Sequence, residues 1–353
     1  MGEILGLGMG HYPGFLFDDA AMSDIGNRMK AGKIDSRFAD PATWPAQMRA
    51  EWGDDDGETF AAIHREEFME GSRRVRAALD AFEPDAVIIF GEDRYESFRE
   101  DLVAPFAVLI QDEFVARPFT WGRGGGVKKS YWGDDPAYEL RFPGAKAVAA
   151  SLVSELIENH FDIAYSYRPR HGDAVSHSFA NTILYLDQER TGWPYGVIPF
   201  HVNSYGTSMV RSGVSDTDVL AGPPDPPPPT PKRAFALGRA VADYVLDSPW
   251  KVALIGSSSW SHGVSVPAHG GLYPDVDADQ ERFDELRTGQ YAKWQDLTTE
   301  QLHAAGETEI LNWLPLVGAM SAAGAGAPAY CTMHESYLMS SSKCTAIFEP
   351  VGR

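Results

Sequence analysis

A chain of 353 residues with 44% hydrophobic and 12% aromatic residues has ample material for a packed core, which excludes a disordered or low-complexity protein. Its formal charge of −20 and pI near 4.8 exclude a phosphate-seeking nucleic-acid binder and disfavour an anionic membrane surface. A local cluster of cations can still hold an anionic substrate. Cys331 and Cys344 are the only cysteines, too few for a disulfide framework or a thiolate zinc site. The N-terminus lacks a basic region followed by a long apolar one, and no apolar stretch is long enough to span a bilayer. The expectation is a soluble cytoplasmic protein.

Residues 3–8 read as an opening strand that runs into Met9-Gly10-His11-Tyr12-Pro13-Gly14, where glycines free the backbone and Pro13 forbids continued pairing. The stretch 35–58 is polar, acidic and tryptophan-bearing, and reads as a surface insertion. Phe60, Ile63, Phe68, Val75, Leu79 and Phe82 recur at helical spacing from Thr59 to Phe82. Ala86–Phe90 is the clearest buried strand, and it stops at the charged run Gly91-Glu92-Asp93-Arg94-Tyr95-Glu96. Ala104–Ile110 is another strand, with Pro105 near its start, where a missing donor is tolerated. Trp121-Gly-Arg-Gly-Gly-Gly126 lacks the lysine and hydroxyl ending of a phosphate loop and reads as a lid.

Gly144–His160 reads as an amphipathic helix and Ile163–Tyr167 as a strand, followed by Arg168-Pro-Arg-His171. Ala174–Leu186 resumes as helix, and Gly196–Asn203 as strand, with His201 a core histidine. The proline-rich run 222–231 is a stiff extended connector. Lys232–Leu246 is helical and feeds the apolar strand that starts near Lys251 and breaks at Gly256-Ser-Ser-Ser-Trp-Ser-His262-Gly. Arg282–Ala305 and Glu307–Ala322 read as two helices, and Lys343–Glu349 as a closing strand. Alternating strands and helices without an internal repeat predict one layered α/β/α domain over 1–353 with a central mixed sheet.

Three histidines, His11, His171 and His262, thus follow strand ends, where ligands bind in open α/β sheets. For His262 the choice stands between an acid–base group or metal ligand and a residue capping a turn. Glu309 lies in an apolar helical stretch, where a carboxylate needs a metal, an arginine or a histidinium as partner unless its turn leaves it exposed. The serines beside His262 lack the G-x-S-x-G pattern of a hydrolase nucleophile.

The chain resembles the LigB-type (class III) extradiol ring-cleavage dioxygenases, the family of the protocatechuate 4,5-dioxygenase catalytic subunit. The segments that carry the resemblance are Gly-Met-Gly-His11-Tyr-Pro-Gly, Pro84-Asp-Ala-Val-Ile-Ile-Phe, Arg170-His171-Gly-Asp, Val197-Ile-Pro-Phe-His-Val-Asn, Ser259-Trp-Ser-His262, Glu309-Ile-Leu-Asn-Trp-Leu-Pro and Ala346-Ile-Phe-Glu-Pro350. The proline-rich loop with Lys232-Arg233-Ala-Phe-Ala-Leu-Gly238 completes them. Their order and spacing together are what is specific. The resemblance implies a LigB-like fold and extradiol cleavage of a catecholic or related aromatic acid by O₂ at non-haem Fe(II). It further implies His11 and Glu309 as metal ligands, His262 as the acid–base group, and His171 as a group outside the metal's own ligands that contacts substrate.

One position departs from the pattern. Where the family carries its second histidine ligand this chain has Arg94, which is always charged and has no lone pair for a metal. The third ligand is left open, with Asp93 or His64 as candidates. The alternative is a fork between Arg94 and Glu309 that replaces the metal and leaves a non-redox hydrolase or carbon–carbon lyase with no cofactor. Arg94, Arg168 and Arg170 are the candidate cations for a small aromatic or enolic acid. A homo-oligomer is compatible with these features. The small helical subunit that accompanies some family members is not visible in the chain, and 35–58 and 121–129 are the stretches available to cover the site in its place.

Overall fold

The fold is taken from a computed structural model, which describes residues 1–23, 26, 36–119, 130–207 and 226–352. The lid segment 121–129, residue 35 and residues 222–225 of the proline-rich run lie outside the described residues.

The main sheet has the order β6-β3-β7-β2-β8-β1-β10-β9, with β11 also pairing β1. These strands are β1 (Glu3–Met9), β2 (Ala86–Gly91), β3 (Phe106–Leu109), β6 (Ala164–Ser166), β7 (Val197–Val202), β8 (Lys251–Ser257), β9 (Tyr330–His334), β10 (Lys343–Ile347) and β11 (Val351–Gly352). The four central strands β7, β2, β8 and β1 are mutually parallel, whereas β3 runs antiparallel to β7, and β10 antiparallel to both β1 and β9. The sheet is therefore mixed, as the sequence predicts. The short strands β4 (Glu113–Ala116) and β5 (Leu140–Pro143) form a separate antiparallel pair, and neither they nor β9 carry enough apolar alternation to be read from sequence.

Central strands of a parallel sheet are covered on both faces, which is why they read as continuous apolar runs. Side chains alternate across the pleat. Ala86, Ile88, Phe90, Val252, Leu254, Ile198 and Phe200 enter one core, and Val87, Ile89, Ala253, Ile255, Leu5 and Leu7 the other. The helices, in chain order, are α1 (Asp19–Met22), α2 (Ala46–Trp52), α3 (Glu58–Phe82), α4 (Lys146–Glu158), α5 (His177–Leu186), α6 (Pro231–Asp247), α7 (Val276–Arg287), α8 (Thr299–Ala305) and α9 (Leu314–Ala322). Helices α4, α6 and α9 supply the first core, and α3 and α5 the second, giving three layers.

Helix α6 starts where Pro231 follows Thr230, whose side chain accepts from the Arg233 N–H. Gly8 on β1 meets α9 closely: a Cβ there would lie 2.2 Å from the Trp313 ring. This close approach brings the 3₁₀ turn Thr308–Asn312, just before α9, up to the strand ends.

Three sequence expectations are corrected. The segment read as a surface insertion, 35–58, buries Trp44, Met48 and Trp52 in the second core, because the tryptophans that marked it as unusual are apolar anchors. The single late helix expected over Glu307–Ala322 is a 3₁₀ turn followed by α9, since Pro315 suits the first turn of a new helix. The stretch Arg282–Ala305 likewise divides into the end of α7, a 3₁₀ segment Tyr291–Asp296, and α8, broken at Gly289 with its positive φ of 73°.

Candidate active site

The parallel register sets Met9 beside Ser257, and Gly91 beside His201, so the chain leaves β1, β8, β2 and β7 at one level. Just beyond that level lies a buried polar cluster in two connected parts.

The first part is His11, Glu92 and His177. His11 follows β1, Glu92 follows β2, and His177 opens α5; none is more than 3% exposed. His11 Nε2 lies 2.8 Å from Glu92 Oε1, and His177 Nε2 lies 3.4 Å from the same oxygen. The His11 Nδ1 meets Ser257 Oγ at 3.0 Å, while His177 Nδ1 meets Glu96 Oε2 at 2.7 Å. Asn312 donates from Nδ2 to Glu92 Oε2 at 2.6 Å, so both carboxylate oxygens are engaged. Burial pulls the His177 imidazolium down, but Glu96 and Glu92 outweigh it and push it up to about 10. Burial alone would raise Glu92; the charges and hydrogen bonds of His11 and His177 hold it well below the usual carboxylate range.

One ligand atom from each of these three side chains lies within 4.8 Å of the others. Two imidazoles and a carboxylate are chemically suited to ferrous iron, and each of the three is oriented by a further hydrogen bond to Ser257, Asn312 or Glu96. A divalent cation held by these three residues would take the place of the protons that the histidines share with Glu92. The donor set fits a metal.

The second part is Glu309, Tyr205, Arg94 and His262. Glu309 is 2% exposed; its Oε1 accepts from the Tyr205 hydroxyl and lies 3.5 Å from Arg94 Nη2. Arg94 also donates to the Tyr205 hydroxyl and stacks over its ring at 4.8 Å. Glu309 Oε2 faces His262 Nε2 at 3.2 Å. Burial lowers the His262 pKa, with Glu309 opposing and Arg94 and Lys343 adding to the fall. The His262 Nδ1–H points at the Trp260 carbonyl at 3.3 Å, which leaves Nε2 to exchange a proton. The loop carrying His262 is pinned on both sides. Ser261 N donates to Asp279 Oδ1 at 2.8 Å, and His262 N to the Gly306 carbonyl at 3.0 Å. Lys343, fully buried at the start of β10, is pulled down to about 7 by burial, against the pull of Asp279 and Glu309.

The structure therefore brings His11, Arg94, His262 and Glu309 to the strand ends but regroups them. Among the described residues the convergent donors are His11, Glu92 and His177, whereas Glu309 is engaged by Tyr205, Arg94 and His262. Arg94 and Glu309 meet through one ion-pair contact, Nη2 to Oε1 at 3.5 Å, beside the donor set rather than in its place. Asp93 is not among the converging atoms. Its carboxylate accepts from the N–H groups of Glu96, Ser97 and Phe98, and burial, with Glu96 nearby, pushes it up to about 7. His64 is not among them either. Its ring packs between Phe15 and Phe60 with both nitrogens unpartnered, and burial holds it neutral. His171 and Arg170 lie out toward solvent, both bound to Asp101 at 3.0 and 2.7 Å. Arg168 is exposed beside them. His201 is buried under the Phe98 ring and pulled down to about 4 by burial, as a core histidine should be.

Sequence reading missed Glu92 and His177. Glu92 was visible in the charged run after β2, but His177 was absorbed into the helix read over Ala174–Leu186, which Ser176 caps.

Residues 225–345 match the family described as the catalytic LigB subunit of aromatic ring-opening dioxygenase. The chain is 28% identical over 231 residues to the 2,3-dihydroxyphenylpropionate/2,3-dihydroxicinnamic acid 1,2-dioxygenase of Comamonas testosteroni, covering 65% of this chain and 58% of that enzyme. It is 26% identical over 196 residues to the enzyme of the same name from Photorhabdus laumondii, covering 56% and 49%. The chain thus spans about half the length of these curated relatives. Among solved structures, an uncharacterized protein of Escherichia coli K12 aligns with a TM-score of 0.44 at 13% identity, covering 81% of this chain and 92% of that one. Residues 225–345 are thus similar to the LigB catalytic subunit, and the chain resembles the LigB-type extradiol ring-cleavage dioxygenases.

Proposed function

We propose that this protein is an extradiol dioxygenase that opens the ring of a catecholic or related aromatic acid with O₂, at a ferrous ion held by His11, Glu92 and His177. The observation that carries the reading is the buried convergence of two imidazoles and one carboxylate at the ends of parallel strands, next to a histidine free to move a proton. The names of the relatives support a catechol bearing an acidic side chain as the substrate class.

Bound iron would supply open coordination positions for the catecholate and for O₂. The chain's own residues account for the proton traffic. His262 Nε2 takes the proton of an incoming hydroxyl, and its proximity to Glu309 Oε2 stabilises the resulting imidazolium. Arg94 and Tyr205 hold the Glu309 carboxylate in place and stop it from turning away. The same imidazolium then returns the proton to the reacting oxygen. Trp260, Trp294 and Trp313, packed edge to face behind this loop, keep bulk water from its inner side. Ring cleavage is favoured over a metal-free hydrolase or lyase, because the relatives' names point to it and the Arg94–Glu309 pair leaves the donor set intact.

The test is anaerobic loading with ferrous iron, removal of excess, metal analysis, and O₂ uptake across catechols with and without carboxylate side chains. Near-stoichiometric iron and O₂ uptake with a ring-opened, strongly absorbing product are expected. Failure to retain iron, or retained iron with no O₂ uptake on any catechol, overturns the reading.

A further inference from the structure

We propose that a groove at the β3–β6 edge of the sheet is a second binding site, for a small aryl carboxylate. A cavity of about 300 Å³ lies there, lined by Phe98, Leu102, Tyr165, Arg168, Arg170 and the carboxylate of Asp101, which pairs with Arg170 and His171. It shares no lining residue with the cluster of His11, Glu92, His177, His262 and Glu309. Its volume falls at the small end of the ~300–1,000 Å³ typical of small-molecule sites.

The chemistry of the walls selects the ligand. Arg170 Nε is bound to Asp101 Oδ2 at 2.7 Å, and His171 Nε2 to Asp101 Oδ1 at 3.0 Å, so Asp101 is used up by these two groups. Among the described residues no carboxylate pairs with Arg168, although the chain carries 50 acidic residues against 30 basic ones. A guanidinium left unpaired in so acidic a protein, at the mouth of a cavity, is suited to a planar carboxylate. Tyr165 is 51% exposed and Leu102 37%, and with Phe98 they offer an aromatic and apolar wall to a ring. An aryl carboxylate matches both features; a bare inorganic anion leaves the apolar wall unused.

The position gives the site a consequence. Two loops connect the groove to the strand ends: 92–102 carries Glu92, Arg94 and Glu96 at its inner end, and 167–177 carries His177 at its inner end. Inside, they are joined by Glu96 to His177 N at 2.8 Å and to its Nδ1 at 2.7 Å; outside, by Asp101 to Arg170 and His171. A ligand seated on Arg168 braces the outer ends of both loops that deliver Glu92 and His177.

The experiment is calorimetric titration of the full chain, without added iron, with 3-phenylpropionate, which has no ring hydroxyls and cannot be turned over. This inference does not depend on dioxygenase activity, and iron-free titration separates the two. Saturable binding is expected, weakened about tenfold or more in Arg168→Gln, the loss typical of a charge-assisted contact. It should be unchanged in His262→Gln and absent with 3-phenylpropanol. Arg168 is exposed, so the thermal midpoint of Arg168→Gln should match that of the unaltered protein, which makes a loss of binding specific. No saturable binding, binding that survives in Arg168→Gln, or binding that also falls in His262→Gln overturns the proposal.

Discussion

Glu92 Oε1 lies 2.8 Å from His11 Nε2, and the two residues come from the ends of separate parallel strands, 81 positions apart in the chain. The contact exists because β8 lies between β1 and β2 in the sheet, in register with both, and carries each strand to the same end level. Among the described residues Glu92 is also the carboxylate that reaches both His11 and His177, so metal affinity should depend on it more than on Glu309.

Glu92→Gln is accordingly expected to lose most of its bound ferrous iron, because an amide keeps the shape but not the charge that a divalent ion needs. Glu309→Gln should retain a larger share. Iron content after anaerobic loading, measured on both variants, decides the point. Equal retention in Glu92→Gln and the unaltered protein would place the metal elsewhere.

His262→Gln should keep iron while turnover falls by about 10²–10⁴, the usual contribution of general acid–base catalysis. The measurement is kcat on a catecholic acid together with iron content. Loss of iron in this variant would make His262 a ligand and not a proton carrier.

A pH effect on stability follows from Glu307, which is 4% exposed and has one carboxylate oxygen unpartnered. Burial, reinforced by Asp279, pushes it from 4.5 up to about 8. The folded protein therefore holds a proton that the unfolded chain releases above the ordinary carboxylate range. The stability tied to this proton is complete below 4.5 and is lost as the pH rises toward about 8. Glu307→Gln cannot ionise, so across that window the unaltered protein should lose stability relative to the variant by about 1 kcal/mol per pH unit. Urea unfolding of both proteins at several pH values checks this, and parallel curves would refute it.

Gly238→Ala tests the contact between α6 and α9. A Cβ at Gly238 would lie 1.9 Å from the Pro315 carbonyl oxygen, and one at Gly318 would lie 2.2 Å from that of Phe235. Neither neighbour is a flexible side chain, so the helices must separate. A loss of about 1–3 kcal/mol is expected, as for other overpacked cores. Because α9 follows the turn that carries Glu309, turnover should fall as well; unchanged unfolding would mean that the helices yield freely.

The amino-acid sequence by itself determined the layered α/β class and the strand ends as the place for chemistry. Short, continuous apolar runs such as Ala86–Phe90, rich in β-branched residues, read as central strands, and glycines or prolines after them mark where pairing must stop. Three candidate site residues were legible for physical reasons: His11 and His262 follow such breaks directly, and Glu309 stands out as a carboxylate in apolar surroundings. The tertiary structure alone decided who partners whom. Arg94 and Glu309 met as an ion pair, as their charges allow, but whether that pair replaces the metal donors depended on Glu92. The local sequence around Glu92 shows only a charged run, and His177 looks like any polar residue at the start of a helix. Their roles come from strand order: β8 separating β1 from β2, and α5 packing across β2, set the spacing between side chains far apart in the chain. Short-range patterns carry burial and turns; they carry no record of which distant strand lies next door.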